Sequence, residues 1–219
     1  MTLKTERTKV RRARERGAYD RESVHSILDE GMVCHVGFVS DGQPYVIPTA
    51  YARRGDEVLI HGSIISRMMR RLQEGVDACL TVTLLDGLVL ARSTFHHSMN
   101  YRSVVILGRM YKVEGDQAKL DALDALVEHL VPGRSRDARL PSPKELAATD
   151  VLTLPIDEAS AKVRSGPPDD PKGDMALDYW AGVVPLARGF GEPEPDPVLR
   201  EGIALPDYLK PFRRPGQEE

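Results

Sequence analysis

The sequence predicts a mainly β fold with peripheral helices, of the α+β kind: an antiparallel barrel, closed or nearly closed, of about six or seven strands. Three observations predict it. Short apolar runs rich in β-branched residues recur along the chain, and Asp41-Gly42, Gly55-Asp56 and Asp86-Gly87 separate them where a tight turn sends one strand back along the last. The helical periodicities lie between or after these runs. No internal repeat and no second apolar core interrupts the pattern. A chain of 219 residues therefore reads as one barrel domain over residues 19–187, with a basic arm before it (1–18) and a proline-rich tail after it (188–219).

The arm carries Lys4, Arg7, Lys9, Arg11, Arg12, Arg14 and Arg16 and few apolar residues. A polyanion contact and a position across a partner subunit are both open to it, and mobility is the default for such a terminus. Asp20 caps a short helix through Val24, Ile27 and Leu28 that Gly31 closes. Val33 to Val39 is the first strand, turned at Asp41-Gly42 into Tyr45 to Ala52. Pro48 inside that second strand calls for an edge, a bulge or a break in pairing. Glu57 to His61 is the third strand, and Met68, Met69 and Leu72 mark the helix after it. Ala78 to Leu85 and Leu88 to Phe95 are predicted as two strands around the Asp86-Gly87 turn. Tyr101 to Val113 is a long strand with a bulge or bend at Gly108.

Asp116 opens an amphipathic helix with Leu120, Leu123, Leu126, Val127 and Leu130 as its apolar stripe, stopped by Pro132-Gly133. Ser142-Pro143-Lys144-Glu145 is a capping-box start for a short helix. Val151 to Ile156 is the next strand, extended by Ser160 to Val163. Residues 166–174 form a loop without core residues, and Trp180 to Leu186 returns as a short apolar segment. From Arg188 the chain wraps the surface or is partly disordered.

The net charge of −3 argues against nucleic acid as a general partner. No apolar run approaches the roughly 20 residues that span a bilayer, and the first residues lack the apolar stretch of a signal peptide, so a soluble, cytoplasmic protein without a membrane partner is expected. Cys34 and Cys79 lie in strand-like apolar runs and read as buried thiols. No Cys-x-x-Cys or His-x-x-x-His spacing supports a zinc site.

Two stretches carry the functional expectation. In Val58 to Leu72, VLIHGSIISRMMRRL, a strand feeds a helix through His61-Gly62-Ser63. Free backbone N–H groups at the helix start, the hydroxyls of Ser63 and Ser66 and the guanidinium of Arg67 suit a phosphate. The plainer reading is a Ser-capped surface helix with a solvated basic face. In Ser98 to Ile106, polar residues enter an apolar strand, as they would at a binding site or at a merely solvated strand end. Alternation puts Tyr101 and Ser103 on one face and Asn100 and Arg102 on the other.

Pro48-Thr49-Ala50-Tyr51, LIHGSIISRMMRRL and NYRSVVILG, in this order and at these separations, resemble the pyridoxamine 5′-phosphate oxidase-like flavin-nucleotide-binding family, nearest its nitroimidazole-resistance branch. The resemblance covers residues from about 20 to 187. It implies a split β-barrel and a homodimer that binds FMN between subunits. On the matching positions it implies that His61, Gly62, Ser63, Ser66 and Arg67 hold the flavin phosphate. It implies that Pro48, Thr49 and Ala50 pass the isoalloxazine ring, that Asn100, Tyr101, Arg102 and Ser103 form a second flavin-contacting strand, and that Trp180 packs near the partner's flavin. It favours a site role for His61, against the cofactor or, as its catalytic form, as a proton donor to substrate; a structural donor to a backbone carbonyl is the plainer reading. The Arg-Leu-x-Pro-type ending of authentic pyridoxamine-phosphate oxidases is missing, so vitamin oxidation is not implied, and no Gly-x-Gly-x-x-Gly fingerprint marks a nicotinamide site.

The expected function is an FMN-dependent oxidoreductase on a small molecule, with nitro-compound reduction one activity. FAD or a deazaflavin in place of FMN is the lesser expectation. Two alternatives stand beside it: a haem-binding or haem-handling split-barrel protein, with His35, His61, His96 and His97 as candidate axial ligands, and a flavin carrier or sensor without turnover.

Overall fold

The computed structural model describes residues 2–214. In chain order its elements are β1 (Gly17–Ala18), α1 (Arg21–Glu30), β2 (Val33–Ser40), β3 (Gln43–Arg54), β4 (Glu57–Ser63), α2 (Arg67–Gln73), β5 (Asp77–Leu90), β6 (Ser98–Arg109), β7 (Tyr111–Lys112), α3 (Asp116–Leu130), α4 (Pro143–Ala147), β8 (Thr149–Pro155), β9 (Ala159–Arg164) and β10 (Gly182–Pro185). The strands form one antiparallel sheet in the order β1-β9-β6-β5-β2-β3-β4-β8-β7, with β10 added to β5.

Two strands change partners, and these changes split the barrel. Residues 43–50 of β3 pair with β2, whereas Tyr51 to Arg54 pair with β4. The chain leaves β6 at Arg109, buries Met110 and joins β8 through β7. The bulge expected at Gly108 does not form: Gly108 pairs in register with Ala78, and the strand breaks two residues later at Met110. The glycine serves close packing, since a Cβ there would stand 3.0 Å from Leu154 Cδ1 of the second sheet half. Beyond Tyr51, β3 gains β4 as a neighbour, but residues 43–50 keep an open edge, the setting expected for Pro48.

The barrel interior is one cluster that includes Ile27, Leu28, Val36, Tyr51, Ile60, Met69, Leu80, Val104, Ile106 and Leu154. α1 starts at the expected cap, where Asp20 accepts the Ser23 N–H at 2.8 Å, and its Val24, Ile27 and Leu28 are buried. Tyr51 Oη donates to the Leu28 carbonyl at 2.6 Å and ties the helix to β3. Gly31 sits under that contact: a Cβ there would lie 2.5 Å from Tyr51 Oη and 2.7 Å from Val82 Cγ1.

Other expectations change as well. The turn at Asp86-Gly87 does not form; β5 runs through it as one strand with a bulge between Leu85 and Gly87. Arg102 grips the Asp86 carboxylate, and Gly87 lets β10 approach, since a Cβ there would stand 2.9 Å from the Val184 carbonyl oxygen. α3 is rotated from its predicted stripe. Lys119, Ala122 and Leu126 face inward, Lys119 Nζ donating to the Leu146 carbonyl at 3.2 Å, and Val127 is exposed.

The basic arm is docked rather than mobile. Leu3 is 1% exposed and bonds Tyr19 and Ala159 through its backbone, Val10 N–H donates to Tyr19 Oη at 2.8 Å, and Arg7 pairs with Glu158. The loop at 166–174 contributes one buried group, Asp170, which takes the Arg92 backbone N–H at 3.0 Å and its guanidinium at 2.8 Å. The tail wraps back over the domain as far as Arg214, which is buried.

Candidate functional site

β4 and the start of α2 organise the site. Strand alternation sends Val58 and Ile60 into the barrel interior and Leu59 and His61 toward α3. At Gly62 a Cβ would stand 2.8 Å from Met69 Cγ, so the missing side chain lets α2 fold back against the strand that precedes it. The turn closes with Ser66 N–H donating to the Ser63 carbonyl at 2.9 Å. Ser66 stands at the N-cap of α2, but its side chain makes no capping bond.

Arg67 opens the helix. Its Nη1 donates to Tyr45 Oη at 2.7 Å, and its guanidinium lies 4.9 Å from the Tyr45 ring centroid. Tyr45 in turn stacks on Phe38, with centroids 5.6 Å apart. Phe38, Tyr45, Ile47, Ser66, Arg67 and Met68 line a niche of about 260 Å³ beside the open edge of β3. Arg70 and Arg71 are spent on the fold: Arg70 Nε donates to the Ile64 carbonyl, and Arg71 bonds the Val39 carbonyl and Glu74. Arg67 pairs with no carboxylate among the described residues.

A second cavity opens on the other side of β4. His61, Leu123, Leu126, Val127, Leu130, Pro141 and Thr149 line a hollow of about 870 Å³, with the ion pairs Arg134–Asp137 and Arg139–Glu145 at its polar side. The His61 ring makes no hydrogen bond among the described residues. It is open to solvent at the hollow, while the protein packed around the rest of the ring disfavours its charged form and lowers its pKa. A neutral imidazole with a free lone pair beside an apolar wall is the ligand form of histidine.

The stretch NYRS on β6 is divided. Asn100 is buried; its Nδ2 donates to the Gly166 carbonyl at 3.1 Å, and its Oδ1 accepts from Arg164. Arg102 grips Asp86 with bonds of 3.0 and 2.8 Å and also holds Glu30; the carboxylates, Asp86 first, raise its pKa. Both side chains are therefore engaged by the protein itself. Tyr101 and Ser103 are half-buried on the opposite face, where Ser103 Oγ donates to the Lys162 carbonyl at 3.3 Å.

Pro48 and Ala50 share that outer face with Tyr101 and Ser103, whereas Thr49 pairs with buried Cys34 and points with Tyr45 toward the barrel side. From β3 to β6 is three strand spacings, roughly 14 Å. Trp180 is 68% exposed and lies against Gly182, where a Cβ would stand 2.9 Å from its ring. The niche thus unites Ser66 and Arg67, the hollow takes His61, and Pro48, Thr49 and Ala50, the β6 positions and Trp180 line neither.

Tyr45 and Phe38 escaped the sequence reading as site residues. The signal was available, because a two-residue turn at Asp41-Gly42 sets Phe38 opposite Tyr45. Arg134 and Arg139 escaped as well, and nothing local marks them.

The family model for pyridoxamine 5′-phosphate oxidase matches residues 20–163. Among solved structures, the flavocytochrome Anf3 from Azotobacter vinelandii is 42% identical, with 96% of this chain and 98% of that chain covered at a TM-score of 0.91. An FAD- and haem-binding protein from Mycobacterium smegmatis is 41% identical, with 89% and 96% covered and a TM-score of 0.85. A putative 5-nitroimidazole antibiotic resistance protein from Bacteroides thetaiotaomicron is 25% identical, with 67% and 86% covered and a TM-score of 0.57. No curated protein matches the chain. With the split barrel, the family match and these likenesses together, the chain belongs to the pyridoxamine 5′-phosphate oxidase-like family.

Proposed function

We propose that this protein is a flavin-binding redox protein with a second, haem-type site, acting as an oxidoreductase on a small molecule. The observation that carries the reading is the pair of available ligand groups, Arg67 and His61, at the two ends of one strand-to-helix connection and facing different cavities. Two relatives above 40% identity are named as a flavocytochrome and as an FAD- and haem-binding protein, so the flavin and haem expectations are two parts of one reading.

The residues present fit both groups. In the niche, a guanidinium without a carboxylate partner, a serine hydroxyl free of capping duty and a stacked Phe38–Tyr45 pair suit a flavin's phosphate and aromatic parts. In the hollow, an imidazole whose neutral form burial favours would supply a nitrogen ligand and the leucines an apolar wall, while Arg134 and Arg139, paired with Asp137 and Glu145, stand at the polar rim. Bound flavin and haem would supply the electron chemistry. The chain's own part is to bind, orient and shield them; Arg67 selects a phosphate-bearing flavin whether it is FMN or FAD.

A homodimer belongs to the same reading. Met99, Leu88 and Val184 form an exposed apolar row across β6, β5 and β10, and Val33, Val39 and Val46 are exposed on neighbouring strands. A second copy on this face would also bring the separated β3 and β6 positions to one interfacial ligand.

The test is the visible spectrum of the purified protein after incubation with flavin and haemin, for wild type, Arg67→Ala and His61→Ala. Flavin bands lost in Arg67→Ala alone, and a Soret band lost in His61→Ala alone, are expected. A wild-type protein that retains neither cofactor overturns the reading.

A further inference from the structure

The carbonyls that end α1 and α3 lie side by side, and neither helix supplies a lysine or arginine in its last turn to meet them. Arg214, from the far end of the chain, meets both. Its Nη1 donates to the Glu30 carbonyl at 3.0 Å, and its Nε and Nη2 donate to the His129 carbonyl at 3.2 and 2.6 Å. The side chain is only 4% exposed. A guanidinium at two helix C-termini is favourable both as a donor and as a charge against the helix dipoles.

At a second point the same segment grips the turn that follows α3, residues 133–137. Tyr208 Oη donates to Asp137 at 2.9 Å and accepts from Arg134 at 3.3 Å, and its ring covers Gly133, where a Cβ would stand 3.3 Å from it. Phe190 and Phe212 hold the segment closed on itself, with ring centroids 4.6 Å apart.

α3 needs such help. The buried cluster beneath it is Ala52, Leu59, Val113, Ala122, Leu126 and Val151, small beside the barrel core and partly alanine. Its inward face also carries Lys119. Yet α3 is a wall of the His61 hollow, and Arg134 and Asp137 stand between that hollow and the tail.

We propose that residues 188–214 are a latch on the C-terminal end of α3, and that the latch sets how fast the His61 hollow exchanges its occupant. The second half rests on the haem reading above. Opening the tail frees the α3 end, widens the hollow and removes the support of Arg134 at its rim.

The experiment uses full-length Arg214→Gln, Arg214→Lys and Tyr208→Phe proteins. Amide hydrogen exchange is followed by mass spectrometry, and haem loss from haemin-loaded protein by transfer to excess apomyoglobin. Arg214→Gln is expected to speed exchange of residues 126–131 roughly tenfold, the scale of lost bonds to a charged group, with β5 and β6 unchanged. Haem transfer should accelerate in parallel, and Arg214→Lys should recover part of both. Unchanged exchange at 126–131, or acceleration that spreads to β5 and β6, overturns the latch. Faster local exchange with unchanged haem transfer overturns its control of the hollow. If wild type takes up no haem, the haem reading fails and the exchange data alone decide the latch.

Discussion

Replacing Arg67 with alanine tests the niche most directly. The guanidinium carries five N–H donors, and the structure engages one with a hydrogen bond, to Tyr45 Oη at 2.7 Å. Removing it costs the fold little: a partly exposed cation–π contact is worth about 0.5–1 kcal/mol, and no carboxylate is left behind. Flavin binding loses more, because hydrogen bonds to a charged group contribute about 1.5–3 kcal/mol, or roughly 12- to 150-fold in Kd. The assay is quenching of flavin fluorescence in a titration, paired with a urea melt of the flavin-free protein. Tyr45→Phe is the companion variant; it keeps the ring but frees the guanidinium, and a smaller loss of affinity is expected. A Kd for Arg67→Ala within twofold of wild type, with an unchanged melt, would refute phosphate binding at this position.

Gly31→Ala is expected to destabilise by about 1–3 kcal/mol, since its Cβ would press on Tyr51 Oη at 2.5 Å and Val82 at 2.7 Å; an unchanged urea midpoint would show that the α1–β3 contact yields freely. Burial lowers the pKa values of His61, His129 and, with Arg53 nearby, His25. Their neutral forms are favoured in the folded state, so this stability is fully present above the unfolded pKa near 6.5 and is lost as pH falls through the lower folded values. Urea midpoints should therefore drop between pH 7.5 and 5.5, and less so in His129→Gln, which keeps a donor toward the Gly31 carbonyl now met by His129 Nε2 at 2.7 Å. Light scattering should give twice the 24.3 kDa chain mass, with an interface above roughly 2,000 Å²; a stable monomer at micromolar concentration would count against a cofactor shared between subunits.

Asp41-Gly42 and Asp86-Gly87 are the same local signal with opposite outcomes, and the difference shows what a sequence carries. At the first, Asp41 and Gly42 take positive φ and nothing distant intervenes, so the turn is legible. At the second, Arg102 from β6 and the backbone of β10 hold the chain extended, and neither is near in sequence. The same distance hides the environment of Arg102 itself, whose Glu30 partner lies on another element. The stripe of α3 is hidden from a hydrophobicity pattern, because Lys119 is buried through a bond to the Leu146 carbonyl and lysine counts as surface there. In the arm, charge concealed the anchoring side chain of Leu3. The turn at His61-Gly62-Ser63 was legible because strand, glycine, serine and arginine are contiguous, and its neighbour Tyr45 was one hairpin register away.

The open edge of β3 has a consequence for how the molecules behave in solution. The two-residue loop fixes Ser40 opposite Gln43. Such a loop closes on a hydrogen-bonded pair, and those pairs alternate along the ladder. Gln43, Tyr45, Ile47 and Thr49 therefore turn their N–H groups to β2, and the positions of Pro44, Val46, Pro48 and Ala50 face the free side. Proline has no N–H. Pro44 and Pro48 erase two of those four outward donors on a strand that exposes Val46 and Ile47. What remains is too sparse to template an incoming strand. A protein carrying both Pro44→Val and Pro48→Val should keep its barrel yet associate edge to edge, as these prolines deny that edge to an incoming strand.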